Sequence, residues 1–321
     1  MTTTTETTAT ATTSSDDFAR RLRDETAAVR FRRRVLGNSR TLDAGKRREI
    51  ADLYDADPDY VRARKVLLNR KDKRVRECFS VCDRAIKYWE SMTVPYSEAQ
   101  KGLRLIRRDR IEEFEAGMQR LLDELGEAVA AADEVYKTEI LPEAKQRLDK
   151  LFNAADYPAS LFGCWGFDWE FPNVEPPSYL EQLNPELFEA EQRRIRGRFE
   201  EAVALAEASF ADEFAKMIAK LSERLQPGPD GKVKTFQTTT VDNLREFFDR
   251  FRDLNIGSNA ELDALVGEAQ AALEGVDVNK LRKDAHERQT VGESMTAIYD
   301  RLNALMVDKP GRRISLEDGD E

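Results

Sequence analysis

The sequence has few of the residues on which catalysis usually depends. Its 321 residues include one histidine, and no glycine-rich phosphate-binding motif or G-x-S-x-G motif occurs. The single His286 lies in the charged stretch KDAHERQ, which is typical of a solvated helix surface. These absences argue against histidine-dependent acid–base catalysis, P-loop nucleotide binding and serine hydrolase chemistry. We therefore expect a protein that is not an enzyme and that binds no cofactor.

Cysteine is also scarce, with three residues that show no disulfide or zinc-module spacing. Cys78 and Cys82 are four residues apart and share one helical face, whereas Cys164 and His286 are remote in sequence. Since a zinc site needs further ligands of this kind, we expect no metal site and an apolar packing role for Cys82. So few cysteines agree with a reducing compartment, and we expect a cytoplasmic protein.

Long apolar runs are missing as well. None approaches the roughly 20 residues that cross a bilayer, so we expect no membrane contact. The first residues, MTTTTETTATATTSSDD, lack the apolar core of a secretory signal, and we expect residues 1–16 to be disordered. Charged residues make up 35% of the chain and hydrophobic residues 40%, a balance typical of helices with a narrow apolar stripe.

Heptad spacing is the clearest periodic signal. Apolar residues alternate steps of three and four at Ile111, Phe114, Met118, Leu121 and Leu125. A second apolar stripe runs from Phe199 to Leu225 on a helix that Asn184 and Pro185 are predicted to open. The spacing predicts an elongated all-α protein with a long antiparallel coiled-coil hairpin at 94–226, whose non-helical, aromatic and proline-rich tip covers 153–184. Such a seam also predicts a homo-oligomer.

Smaller helical units are expected at both ends of this hairpin. The predicted divisions are a basic helical region at 17–93, a linker at 227–240 around QPGPDGK, a helical unit at 241–309 and an acidic tail at 310–321.

The tip sequence FGCWGFDWEFPNVEPPSYL concentrates large aromatic residues between prolines. Alternation of aromatic and acidic residues over 167–171 predicts a short extended segment. The aromatics form a buried plug that caps the hairpin, an exposed anchor for a partner, or both, and we favour a plug with a partner-facing edge. The candidate partner-binding residues are Trp165, Phe167, Trp169, Phe171 and Tyr179.

Charge is distributed unevenly along the chain. Residues 20–110 carry 26 Lys or Arg against 14 Asp or Glu, whereas residues 111–321 carry 25 against 44. The basic part either pairs with the protein's own acidic helices or contacts nucleic acid. The candidate nucleic-acid contacts are Arg32, Arg33, Arg34, Arg70, Lys71 and Arg74.

The order of several segments resembles a known family. TVPY and GLRLI are followed by YPASLFG, FDWEFPNVEPPSYL and TTVDNLREFFDRFRDLNI, over about residues 60–285. This order resembles an uncharacterised helical family, a domain of unknown function, of tailed bacteriophages and prophages. In that family the proline run is similar to PVPEPSDF, from which Asn173 and Tyr179 depart here.

The resemblance implies a phage or prophage gene product in a bacterial host cell, and it carries over no catalytic residue. The resemblance also implies a MoxR-like ATPase as a candidate protein partner. We therefore expect a structural or interaction protein that acts through self-assembly and partner binding. The alternative is a nucleic-acid-associated phage protein that uses the basic region 20–110.

Overall fold

The structure is a computed structural model that describes residues 19–226, 239–255, 259–277, 281 and 284–308. The chain forms two compact units. The first unit comprises Met1–Ala28, Thr93–Arg108 and Pro172–Glu321, and the second comprises Val29–Met92 and Asp109–Phe171. The predicted tails at 1–16 and 310–321, and all but the last two residues of the predicted linker, lie outside the described residues.

Both strands and helices occur in the described part of the chain. The strands are β1 (Thr26–Arg34), β2 (Ser39–Thr41), β3 (Arg64–Val66), β4 (Val94–Pro95), β5 (Leu103–Arg107) and β6 (Gly166–Glu170). The helices are α1 (Ala44–Leu53), α2 (Lys73–Ser91), α3 (Ile111–Glu134), α4 (Leu141–Leu148), α5 (Tyr179–Leu183), α6 (Pro185–Leu225), α7 (Thr239–Leu254), α8 (Ala260–Leu273) and α9 (Ala285–Asp308). Residues 19–25 are also helical, and a π-helical turn at Tyr136–Ile140 precedes α4.

The prediction of an all-α protein is wrong. Four strands form one sheet in the order β4-β5-β1-β6, and β2 and β3 form a second. Strand β6 pairs antiparallel with β1, in a register that places Arg30 opposite Glu170 and Arg32 opposite Asp168. The predicted basic helix after residue 17 therefore ends at residue 25, where β1 follows.

Cross-strand contacts explain why β1 is extended. The Phe31 ring stacks on Trp89 and on Phe167, with centroid distances of 5.4 and 5.8 Å. On the other face, Arg30 and Arg32 form ion pairs with acidic residues of β6. Because strand preference depends on such neighbours more than on the residue itself, tertiary pairing overrides the helical reading of the sequence.

The predicted coiled-coil hairpin is also wrong. Its two presumed arms, α3 and α6, belong to different compact units. Helix α3 instead packs against α2 in the second unit. In this unit Phe114, Met118 and Leu125 are buried, and Ile111 and Leu121 are partly buried. The heptad seam is therefore largely occupied within the chain, because α2 presents an apolar face of its own that includes Val75, Cys78, Val81, Cys82, Ala85 and Trp89.

In the first unit, α6 is the central helix and packs against α9 and α7. The stripe that the sequence predicts on α6 is buried here, except for the partly buried Met217. A cluster of phenylalanines joins α6 to α7, in which Phe214 stacks on Phe247 at 5.4 Å with nearly parallel rings. Phe210, Phe248 and Phe251 complete this cluster.

Several local predictions are confirmed. Asn184 caps α6 by accepting a hydrogen bond from the Leu187 amide, and Pro185 is the first helical residue. The alternating aromatic segment forms β6. Asp57 and Pro58 open a short 3-10 turn, and α2 begins at Lys73 after the Asp72 cap.

Close packing of α2 on α3 leads to a prediction about two glycines. The Tyr88 ring stacks on Phe114 and its hydroxyl donates to the Glu113 carbonyl oxygen at 3.0 Å, so the ring lies where a Cβ at Gly117 would be. We expect Gly117→Ala to lower the free energy of unfolding by about 1–3 kcal/mol through overpacking. Gly126 lies on the same helix with no neighbour within 4 Å of a Cβ, so Gly126→Ala should raise it by about 0.5–1 kcal/mol.

Urea unfolding followed by tryptophan fluorescence measures both changes. All three tryptophans, Trp89, Trp165 and Trp169, lie in the second unit, so their emission reports on the unit that contains α2 and α3. Equal effects of the two alanines would show that the Tyr88 ring moves aside without cost and would contradict the prediction.

A candidate binding cleft beside β6

A cleft of about 420 Å³ opens in the second unit where β1 and β6 meet α3. We call it the arginine cleft, because three consecutive arginines at the end of β1 line it. Its other lining residues come from α3 and from the segment around β6. The full lining is Arg32, Arg33, Arg34, Leu122, Leu125, Gly126, Val129, Phe162, Gly163, Trp165, Gly166, Phe167 and Asp168. The volume lies within the range of ligand pockets, roughly 300–1,000 Å³.

Two of the three arginines are paired with carboxylates. Arg32 Nε donates to Asp168 Oδ1 at 2.9 Å and Arg32 Nη2 donates to Glu170 Oε2 at 2.7 Å. Arg33 Nη1 donates to Asp83 Oδ1 at 2.8 Å. These contacts hold the guanidinium groups in place, since bidentate and charge-assisted hydrogen bonds are directional.

Arg34 differs from its neighbours in its partners. In the described part of the chain it has no carboxylate within ion-pair distance, and its side chain is exposed. Its guanidinium lies over Gly166, its partner in the β1–β6 register, with Nη2 3.2 Å from the position of a glycine Cβ. Gly166 therefore leaves the space that Arg34 occupies, and a positive charge at the cleft is left uncompensated.

The apolar floor of the cleft is anchored through Trp165. The Trp165 side chain is 4% exposed and packs edge-on against Phe79 at 5.4 Å. The Arg70 guanidinium lies over the Phe79 ring, 4.2 Å from its centroid, which is cation–π distance. The buried indole N–H of Trp165 has no hydrogen-bond acceptor among the described residues. A buried donor of this kind costs about 1–3 kcal/mol while it stays unpaired.

The structure separates the five predicted tip residues. Trp165 and Phe167 are buried in the cleft wall. Trp169 is half-buried and donates its indole N–H to Glu115 Oε1 at 2.7 Å, and Phe171 is partly exposed beside Phe114. Tyr179 is exposed, and it begins α5 in the first unit. The aromatic segment therefore combines a buried plug with exposed rings, as both readings of the sequence allowed.

The six predicted nucleic-acid contacts all lie in the second unit, and most have protein partners. Arg74 donates to Asp72 and to Glu139, so it is held by two carboxylates. With Arg32 and Arg33 paired and Arg70 over Phe79, only Arg34 and Lys71 have no carboxylate or ring partner among the described residues. Arg32, Arg33 and Arg74 are thus neutralised by acidic residues of their own unit.

The two cysteines of α2 are buried packing residues. Cys78 and Cys82 are fully buried in α2, and burial raises the pKa of Cys78 to about 12 and that of Cys82 to about 11. Both are therefore protonated at neutral pH, whereas a metal ligand must be a thiolate. No group of three or more metal-binding side chains occurs among the described residues.

Sequence reasoning missed the pairing that builds the cleft, although a signal was present. The stretch RFR at 30–32 alternates basic and aromatic residues, and FDWE at 167–170 alternates aromatic and acidic residues. Two segments that alternate in this way and carry opposite charges are typical of paired strands. The aromatic rings then lie on one face of the sheet and the charged side chains on the other. The contributions of Leu122, Val129 and Phe162 have no comparable local signal.

Comparisons of the chain with protein-family profiles, curated proteins and solved structures found no match. In the part of the chain that the structure describes, no helix has the length and apolar character needed to span a membrane. The cleft itself therefore provides the evidence for function.

Proposed function

We propose that the protein is a non-enzymatic interaction protein of a phage or prophage, and that the arginine cleft binds an acidic polypeptide carrying large apolar side chains. We place it in the cytoplasm of the bacterial host, which is supported by three free thiols. The phage origin is supported by the order of sequence segments described above.

The observation that carries this proposal is the combination of an apolar floor with an unpaired arginine. Leu125, Val129 and Phe167 provide buried apolar surface, and Arg34 provides a cation that has no counter-ion in the described residues. A partner that inserts a large side chain and places a carboxylate on Arg34 would satisfy both features. Tyrosine and arginine contribute most often to the binding energy of such interfaces.

Nucleic-acid binding is the second candidate, and one observation favours it. The Phe162 ring is 62% exposed and lines the same cleft as Arg34, so it is available to stack on a base. Against this candidate, Arg32, Arg33 and Arg74 already hold carboxylates, which a phosphate backbone would have to displace. The acidic polypeptide is therefore the better-supported ligand.

A labelled octapeptide of alternating Asp and Tyr is the probe for this proposal. We expect it to bind the wild-type protein, and Arg34→Glu to weaken binding by about thirtyfold or more, because the substitution replaces an attractive charge by a repulsive one. Arg76→Glu is the matched control, since Arg76 is exposed on α2 and does not line the cleft. Fluorescence anisotropy measures all three affinities.

The outcomes separate the two candidates. A peptide in which Asn replaces Asp should bind much more weakly, since it lacks the carboxylates. Equal loss in Arg34→Glu and Arg76→Glu would mean that only net charge matters and would contradict a specific cleft. Tight, salt-dependent binding of single-stranded oligothymidine, lost in Arg34→Glu, would favour the nucleic-acid candidate instead.

A further inference from the structure

The second unit also exposes a surface that is opposite in character to the arginine cleft. Residues 52–60, DLYDADPDY, carry four aspartates and no Lys or Arg. We call them the acidic aromatic segment. Leu53 and Tyr54 are each 75% exposed and Tyr60 is 88% exposed. Three large exposed side chains within eight positions make this segment a candidate interaction surface.

The carboxylates of this segment are available to a partner. All four aspartates are exposed, and none of them forms an ion pair within the described part of the chain. Asp57 accepts a hydrogen bond from the Asp59 amide, which caps the turn that Pro58 begins. The other acceptor sites on these carboxylates face solvent.

The segment is held in a defined conformation. The Tyr54 and Ala56 amides both donate to the Ala51 carbonyl oxygen at 3.0 Å, and the Tyr60 amide donates to the Asp57 carbonyl oxygen at 3.0 Å. Asp55 has a φ of 51°, which turns the chain between these hydrogen bonds. Because the backbone is already ordered, binding requires little further loss of conformational entropy.

We infer that the acidic aromatic segment of one copy binds the arginine cleft of a second copy. This inference rests on the proposed function and names the partner as the protein itself. The charges are complementary, since neither the four aspartates nor Arg34 of the cleft has an ion-pair partner among the described residues. The exposed Leu53, Tyr54 and Tyr60 match the apolar floor of that cleft, and their aspartate neighbours supply carboxylates that Arg34 can bind.

The two surfaces are different, which determines the kind of assembly. Among the described residues that line the arginine cleft, none belongs to 52–60. Contact between two different patches is heterologous, so a bound pair still offers one free cleft on one copy and one free segment on the other. Such contacts produce a ring where the rotation closes and a filament where it does not. Self-assembly thus follows from complementary patches of one unit and needs no coiled coil.

A complementation experiment tests this arrangement with the full-length chain. One variant, Arg34→Glu, disables the cleft and keeps the segment. The other, Tyr54→Ser with Tyr60→Ser, disables the segment and keeps the cleft, and both tyrosines are exposed, so folding should be unaffected. We expect wild-type mass to rise beyond a dimer with micromolar concentration in sedimentation velocity. Each variant alone should self-associate at least about thirtyfold more weakly than the wild type. Their mixture should form a dimer that grows no further.

Matched controls and outcomes distinguish this inference from the proposed function. Arg76→Glu, and Leu183→Ser at an exposed apolar residue outside both surfaces, should assemble like the wild type. A wild-type monomer at all concentrations, or a mixture that stays monomeric, would overturn the inference. If the Asp–Tyr octapeptide still binds in an Arg34-dependent way, the proposed function stands without it. If the octapeptide also fails to bind, both are wrong.

Discussion

Phe214→Ala is expected to lower the free energy of unfolding of the first unit by about 3–5 kcal/mol. Phe214 is fully buried and contacts Phe247 and Phe248, so its removal leaves a cavity where α6 meets α7. The phenylalanines around it are large and mutually packed, which limits how far the site can collapse. The loss should therefore lie well above the cost of transferring the ring to water.

Far-UV circular dichroism during urea unfolding measures this effect, since the tryptophans all lie in the second unit. Leu183→Ala is the control in the first unit, because Leu183 is largely exposed and should change stability by less than about 0.5 kcal/mol. A Phe214→Ala transition that coincides with the wild-type transition would refute the prediction.

Lys65→Met should destabilise the second unit by about 3 kcal/mol. Lys65 Nζ lies 2.7 Å from Asp156 Oδ2 and donates to the Leu151 carbonyl oxygen at 2.6 Å, and the Asp156 side chain is only 19% exposed. Removing the ammonium group leaves a largely buried carboxylate without its counter-ion, which typically costs about 3–5 kcal/mol. Partial hydration of Asp156 places the expected value at the lower end of that range.

A double substitution separates this electrostatic cost from lost packing. In Lys65→Met/Asp156→Leu no charge is left unpaired, so most of the lost stability should return, as for other buried pairs replaced by apolar residues. Lys46→Met breaks the more exposed pair of Lys46 with Glu49 and should cost less than about 1 kcal/mol. Tryptophan fluorescence during urea unfolding reports on all three variants. A double variant as unstable as Lys65→Met would show that packing, not charge, holds this site.

The sequence predicted helices best where local signals were sufficient. The N-cap at Asn184 and the apolar stripe of α6 depend on residues three or four positions apart, and both are present. The seam on α3 was also real, but periodicity identifies an apolar face and not the surface that covers it. That partner is α2, which has a buried apolar face of its own.

The sheet and the cleft were harder to predict because they depend on residues far apart in sequence. Arg32 and Asp168 are 136 positions apart, and only their pairing converts a basic run into a strand. The same distance explains why aromatic residues of 162–171 were assigned to a hairpin tip and not to a sheet. Arg34 was selected for its charge, but its special property, the lack of a counter-ion among the described residues, is visible only in three dimensions.

The acidic residues that pair with β1 also lie on an edge strand, where they disfavour pairing with strands of other chains. Strand β6 is the last strand in the order of the four-stranded sheet, and a terminal strand offers its free edge to other chains. Asp168 and Glu170 place charges on this short strand, and Pro172 follows it closely, where it can donate no backbone hydrogen bond. A shift of the β1–β6 register by one residue would turn Phe31 towards the charged face of the sheet. The ion pairs and the aromatic contacts therefore also disfavour pairing in a wrong register. Asp168 and Glu170, which set the register with β1, are thus also expected to oppose edge-to-edge association of β6 with other chains.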